Sequence, residues 1–174
     1  MGLDFSYYES KLIKGIWIIK PSISTDERGY IWTTFSGESI SKMVNNNLSF
    51  RHDKFSYSKK NVLRGIHGDH KTWKLVTCVY GEIFQVVVDC RKNSDTYLKW
   101  EKFIIKECEP TLILIPPNMG NAFYVSSDSA VYHYKLAYEG SYVDADEQFS
   151  LKWNDPKINI HWPTTTPILS ERDK

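Results

Sequence analysis

Apolar positions along the chain gather into short runs, and the densest lie at 75–80 and 83–89 within KLVTCVYGEIFQVVVD. Both runs are rich in Val, Ile, Phe and Thr and they meet at Gly81-Glu82, which predicts an antiparallel hairpin. An earlier strand is expected at 16–21 (IWIIKP), and β-type residues resume at 30–35 (YIWTTF) after the turn cluster Thr25-Asp26-Glu27-Arg28-Gly29. Together these suggest a second hairpin with Arg28 at its tip. Residues 37–47 place Ile40, Met43 and Val44 at helical spacing with Asn45-Asn46-Asn47 as a stop, the one helix predicted in the first half. Residues 100–106 read as a strand and 111–115 (TLILI) as a fully apolar one. At 116–120 two prolines cannot donate to a ladder and Gly120 can take positive φ, so the chain must turn. Strands at 122–126 and 130–138 follow, with Ser127-Asp128 between them as a hairpin turn. Runs recurring every ~8–12 residues with no helical segment between them predict antiparallel sheets in a sandwich or barrel. Beyond Asp155, prolines at 156, 163 and 167 predict an irregular tail wrapped over the body, and Ser170 and Asp173 are spaced like a helical cap.

Composition narrows the classes. A chain of 174 residues is most economically one domain, 1–174, long enough to bury a core. Its 22 Lys and Arg stand against 21 Asp and Glu. That balance argues against a general nucleic-acid or membrane-surface binder and requires any cationic site to be local. No window approaches the ~20 apolar residues of a membrane span, and the start MGLDFSYYESKLIKG lacks the layout of a signal peptide, so a cytoplasmic protein is expected. Cys78, Cys90 and Cys108 lack metal-ligand spacing and are expected to be reduced, small core residues. Aromatic residues make up 14 % of the chain, which suits a core and a sugar or base pocket equally.

The stretch 62–90 also carries candidate chemistry. His67 is flanked by Arg64 and Lys74, a titratable base with two fixed positive charges. The set suits a small anionic ligand whose reaction needs a proton moved. Taken alone, such a histidine is more often an ordinary loop or core residue.

Six ordered blocks weigh against that bland reading: VLRGIH at 62–67, KLVTCVYGEIFQVVVDCR at 74–91, LILIPPNMGNAF at 112–123, YHYK at 132–135, WNDPKINIHWP at 153–163 and LSERD at 169–173. In this order they resemble the dTDP-4-dehydrorhamnose 3,5-epimerase family, as does the DERGY turn at 26–30. The resemblance implies an all-β, cupin-type jelly roll with a few short helices. It also implies a homodimer with exchanged strands and a metal-independent, cofactor-free epimerase acting on a nucleotide-linked 4-keto sugar. Position by position it makes His67 the catalytic base, Asp173 its partner carboxylate, Tyr134 the opposing acid and Lys74 a cation near the reacting ketone. Arg64 and Arg28 match arginines that hold diphosphate or sugar, Arg28 reaching from the neighbouring subunit. Departures from the family pattern fall at Asn121, where a histidine is usual, at Thr33, where a glutamate is usual, and at His52 and Lys54, where Gln and Asn are usual. Asn121 can still hydrogen-bond a sugar oxygen but cannot relay a proton, and His52 and Lys54 lie in the stretch associated with nucleotide and sugar. The wording GNAFYV at 120–125 and HYKLAYEG at 133–140 looks most like the branch acting on GDP-linked 4-keto heptoses in capsular polysaccharide synthesis. A dTDP-linked 4-keto-6-deoxyglucose is the alternative substrate.

The residue types suit that chemistry. A C4 carbonyl acidifies the hydrogens on C3 and C5, and epimerisation removes a proton from one face and returns one to the other. An imidazole, with an ordinary pKa of about 6.5, serves as base near neutral pH when a carboxylate fixes its tautomer. A phenol, ordinary pKa about 10, arrives protonated on the opposite face, while preorganised positive charge holds the enolate oxygen. Arginine's planar fork fits a diphosphate. Three rivals remain open. A metal-dependent cupin would use His67 and His70, though residues three apart on a strand face opposite sides. A non-catalytic sugar-nucleotide binding module and a ketoisomerase of related fold are the others.

Overall fold

The computed structural model describes residues 4–174. In chain order its strands are β1 (Phe5–Glu9), β2 (Trp17–Pro21), β3 (Ile23–Asp26), β4 (Gly29–Trp32), β5 (Phe50–Lys59), β6 (Leu63–Gly68), β7 (Trp73–Tyr80), β8 (Glu82–Asp89), β9 (Trp100–Lys106), β10 (Leu112–Ile115), β11 (Met119–Val125), β12 (Ser129–Ala137) and β13 (Phe149–Ser150). Helix α1 (Gly37–Val44) lies between β4 and β5, and single 3-10 turns occupy Ala145–Glu147 and Glu171–Asp173. A six-stranded sheet of order β1-β2-β10-β7-β12-β5 packs against a five-stranded sheet of order β13-β6-β11-β8-β9, and all their pairings are antiparallel. This is the expected jelly-roll sandwich.

Three apolar layers hold it. Val76, Cys78, Ile113 and Ile115 of one sheet meet Ile83, Val87, Phe123 and Val125 of the other in the central core. Outside the six-stranded sheet, Ile40 and Met43 of α1 cover Leu75, Leu112 and Leu114. Outside the five-stranded sheet, Ile158 and the partly buried Trp153, Ile160 and Trp162 of the tail cover Phe84, Val86 and Val88. The proline-rich tail therefore wraps the body as expected. The helix also forms as read: Ser36 caps it through Ser39 N, and Asn45 ends it in the left-handed region at φ 50°.

The predicted hairpin at 75–89 does not form. β7 pairs with β10 and β12, whereas β8 pairs with β11 and β9, so Gly81 is a corner between the two sheets. Both strands are covered on both faces, which removes the alternation that would reveal a shared sheet. Gly81 has φ 78°, and a Cβ there would come within 2.2 Å of Ser129 O. The expected hairpin through Ser127-Asp128 is a corner for the same reason, since β11 and β12 also belong to different sheets. The two corners are tied together, Ser127 Oγ accepting from Glu82 N at 2.8 Å.

Other details differ as well. The early hairpin is built from β3 and β4, with Arg28 at its tip as expected, but residues 17–21 belong to the large sheet. In the turn before β11 the positive φ falls on Asn118 (64°) rather than Gly120. Cys78 is buried, Cys90 is half-buried and Cys108 is exposed, so only the first is fully a core residue. Ser170 precedes the last 3-10 turn, but its hydroxyl donates to the Asp173 carboxylate instead of capping a backbone N–H.

Candidate active site

Strands of both sheets line a cavity of about 390 Å³. Strand β6 brings Arg64 and His67 to it, β7 brings Lys74, β11 Asn121, and β12 Tyr132 and Tyr134. The period of two on β12 explains the last pair: Tyr132, Tyr134 and Leu136 line the cavity while His133 and Lys135 face the other way. His67 and Asn121 are cross-strand partners in the five-stranded sheet, and Tyr134 lies opposite Val76 in the six-stranded sheet. Imidazole and phenol therefore stand on opposing walls. Gly65, at φ 109°, permits this packing, because a Cβ there would lie 2.5 Å from Asn121 O.

Asp173 reaches the cavity from the tail. The tail adds to β6 through Leu63 N to Ile168 O (3.0 Å) and Ile168 N to Asn61 O (2.7 Å), and Asp173 N closes the last turn onto Ser170 O. Asp173 is thus buried, at 8 % exposure, where a chain end would ordinarily fray. Its Oδ1 lies 2.6 Å from His67 Nε2. Both atoms are shut off from solvent and have no other partner, and the contact is close but not angularly aligned as a hydrogen bond. Burial pushes the Asp173 carboxyl up, but the adjoining His67 ring together with the Ser170 Oγ and Gly65 N–H donors outweighs it and holds the group below the usual carboxylate range.

Lys74 is 8 % exposed and its Nζ donates to His67 O at 3.2 Å, tying the two walls together. Burial pushes its ammonium below the ordinary lysine value; Asp69 opposes that shift and Arg172 adds to it. Arg64 stands at the rim, its Nε donating to Ser58 Oγ (2.9 Å). Asn121 Oδ1 accepts from Gln85 Nε2 at 2.7 Å.

Three expected residues lie elsewhere. Lys54 Nζ donates to Tyr142 OH (2.8 Å), and the His52 ring packs edge-on to Tyr142 (4.8 Å between centroids), so both support a cavity-lining side chain without lining the cavity. Arg28 is not brought to the cavity at all; within this chain its guanidinium is held by Asp26 on the exposed hairpin. Tyr132, Tyr142, Gln148 and Arg172 line the cavity without having been anticipated. Strand periodicity through Tyr134 would have found Tyr132, and Arg172 sits beside Asp173; nothing local marks Tyr142 or Gln148. His70 contacts Asn118 Oδ1 at 2.6 Å, and among the described residues no three His, Cys, Asp or Glu side chains gather as a metal site.

The family model for dTDP-4-dehydrorhamnose 3,5-epimerase matches residues 10–174. The chain belongs to that family. It is 34 % identical over 164 residues to the dTDP-4-dehydrorhamnose 3,5-epimerase of Shigella flexneri, covering 92 % of this chain and 89 % of that one. The enzyme of the same name from Methanothermobacter thermautotrophicus is 36 % identical over 176 residues, covering 98 % and 92 %. A crystal structure of a dTDP-6-deoxy-D-glucose-3,5-epimerase from Legionella pneumophila, in complex with dTDP-4-keto-L-rhamnose, matches with a TM-score of 0.90 and 32 % identity over 98 % of this chain and 90 % of that one. Members of this family are isomerases, and so is this chain.

Proposed function

We propose that the chain epimerises a nucleotide-linked 4-keto sugar by proton transfer through an enolate, with a dTDP-linked 4-keto-6-deoxyhexose as substrate. The observation that carries the reading is the opposition of His67, backed by Asp173, to Tyr134 across one cavity. His67 removes the proton next to the C4 carbonyl, and Asp173 fixes the ring tautomer and stabilises the imidazolium. Tyr134 delivers a proton to the other face. Lys74, held at the base of the cavity, supplies positive charge to the enolate oxygen, and Arg64 at the rim takes the diphosphate.

The relatives named above support a dTDP-linked hexose ahead of the GDP-linked heptose that the wording of the chain suggested. The proposal includes a cytoplasmic location and a homodimer. Arg28 on the exposed hairpin supports the dimer, because a second subunit gives that guanidinium a cavity to enter. Among the described residues no helix is long and apolar enough to cross a membrane.

Incubation in deuterium oxide tests the reading, with dTDP-linked 4-keto-6-deoxyhexose in one arm and GDP-linked 4-keto heptose in the other. NMR is expected to find label at C3, C5 or both in the dTDP arm. Label in the GDP arm alone would overturn the substrate, a carbonyl moved to C3 would mark a ketoisomerase, and no label in either would leave a binding module.

A further inference from the structure

Behind Asn121 lies a side chain that touches no part of the cavity. Gln85 points inward from β8 and is wholly buried, at 0 % exposure. Its Nε2 donates to Val86 O (3.0 Å) and to Asn121 Oδ1 (2.7 Å), and its Oε1 accepts from Tyr132 OH (3.0 Å). These bonds leave no freedom in how either amide is turned. A backbone carbonyl only accepts, so the Gln85 nitrogen must face Val86 O. Its second N–H then requires an oxygen from Asn121. Tyr132 supports the same arrangement: it is fully buried, burial keeps its phenol far above the usual range, and its one proton faces two acceptors, Gln85 Oε1 at 3.0 Å and Asn121 Oδ1 at 3.3 Å.

With its oxygen committed to the interior, Asn121 has only its NH2 left. Among the described residues Nδ2 has no partner, and it is not among the polar atoms shut off from solvent. Asn121 lines the cavity beside His67, its partner across the β6–β11 ladder. The fold thus presents a donor, of fixed polarity, next to the base.

We infer that Gln85 is a positioning residue that locks Asn121 with its NH2 toward the substrate, where it hydrogen-bonds an acceptor oxygen on or beside the carbon that His67 deprotonates. The inference rests on the epimerase reading above. It makes the site selective for a carbonyl or enolate oxygen at that place, which an acceptor-only side chain would repel.

Gln85→Glu and Asn121→Asp test it. In the first variant the introduced carboxylate, when ionised, cannot donate, so Asn121 turns its NH2 inward and offers oxygen to the cavity. When protonated, the same carboxyl has one O–H to donate to Asn121 Oδ1, which keeps the Asn121 oxygen inward although Val86 O then loses its donor, and burial favours that neutral form. The activity of Q85E relative to wild type is therefore expected to be highest at low pH and to fall as pH rises, by about 10²-fold once the introduced group is ionised. A purely structural effect, the ionised buried carboxylate loosening the fold, would lower thermal stability over the same pH range, so melts are recorded alongside and the ratio is read only where the protein stays folded. Asn121→Asp keeps the bond from Gln85 but replaces the cavity-facing donor by an acceptor, and kcat/KM is expected to fall about 10²-fold. A pH-independent Q85E ratio in folded protein, or wild-type kcat/KM in N121D, would overturn the inference; should Q85E not fold, N121D decides alone. Absence of deuterium exchange in the wild type would instead overturn the epimerase reading, and this inference with it.

Discussion

His67–Asp173 and His133–Asp53 are the same two side-chain types at contact distance, and they are built the opposite way round. In the cavity pair the carboxylate is buried and the ring looks out, at 4 % and 21 % side-chain exposure. In the pair between β12 and β5 the ring is buried at 5 % and the carboxylate is open at 51 %. His133 is stacked on Phe55 with centroids 4.6 Å apart, and Asp53 is shared with Lys135. All of that lies on the face of β12 turned away from Tyr134. A buried carboxylate behind an accessible ring leaves one ring nitrogen for a ligand. A buried ring in front of an exposed carboxylate turns its bonded nitrogen away from the cavity, and holds an edge strand in place instead. A histidine beside an aspartate therefore says little about catalysis until it is known which partner faces a cavity.

Removing each pair in turn tells the two apart. His67→Asn is expected to lower exchange of solvent deuterium at both sugar carbons by about 10⁴-fold, the upper range for loss of a general base. Nucleotide affinity should be retained, because the diphosphate is assigned to Arg64. Exchange near the wild-type rate would mean that another group takes the proton.

Asp173→Asn should cost less, about 10³-fold, since an amide can hold the ring but in the wrong tautomer. This variant also carries a pH signature. The Asp173 carboxyl is depressed in the folded protein, so its stabilisation is complete above the ordinary carboxylate range and is lost as pH falls through the lower, folded value. Thermal melts of the wild type should therefore lose stability more steeply below about pH 4 than those of D173N. Parallel curves would show that the carboxylate is not held by His67 and Ser170 in solution.

Tyr134→Phe separates the two faces of β12 most directly. Proton removal by His67 survives and delivery to the other face does not, so label should wash in with retention, and inversion should fall about 10²-fold. Full inversion by Y134F would point to a different donor.

Legibility in the sequence follows the same line between faces and partners. Periodicity says which way a side chain points. It located the helix through Ile40 and Met43, and carried along β12 from Tyr134 it would have placed Tyr132 on the same face and His133 on the far side. It is silent about which strand lies alongside, and both sheet-crossing corners, at Gly81 and at Ser127-Asp128, were read as hairpins for that reason. Strand β5 escaped notice because its pattern is inverted: Phe55 and Tyr57 are exposed while Ser56 points to the cavity and Ser58 is buried. A strand whose inner face borders a polar site has no reason to alternate in the usual sense. Asp173 is the reverse case. Local rules assign a chain end to solvent, and only backbone bonds between the tail and β6, more than a hundred residues away in sequence, bury it.

The outer pair supplies the smallest effect and the cleanest control. Asp53→Ala removes the partner of a buried ring nitrogen and one charge beside Lys135, while β12 keeps its ladder to β7. Leaving that nitrogen unpaired costs about 1–2 kcal/mol, discounted because half of the carboxylate is already in water. Urea melts should register the loss, and kcat/KM should stay at the wild-type value. The carboxyl of Asp53 is itself held low: burial raises it, and the bonds from Lys135 and His133 outweigh that. Its contribution, like that of Asp173, disappears as pH falls through the folded value, so D53A should also flatten the acid side of the stability curve. The two carboxylates would then be alike in acid stability and unlike in turnover. A fall in kcat/KM approaching that of D173N would mean that the outer face of β12 steers Tyr134, and that the two histidine–aspartate pairs are not independent.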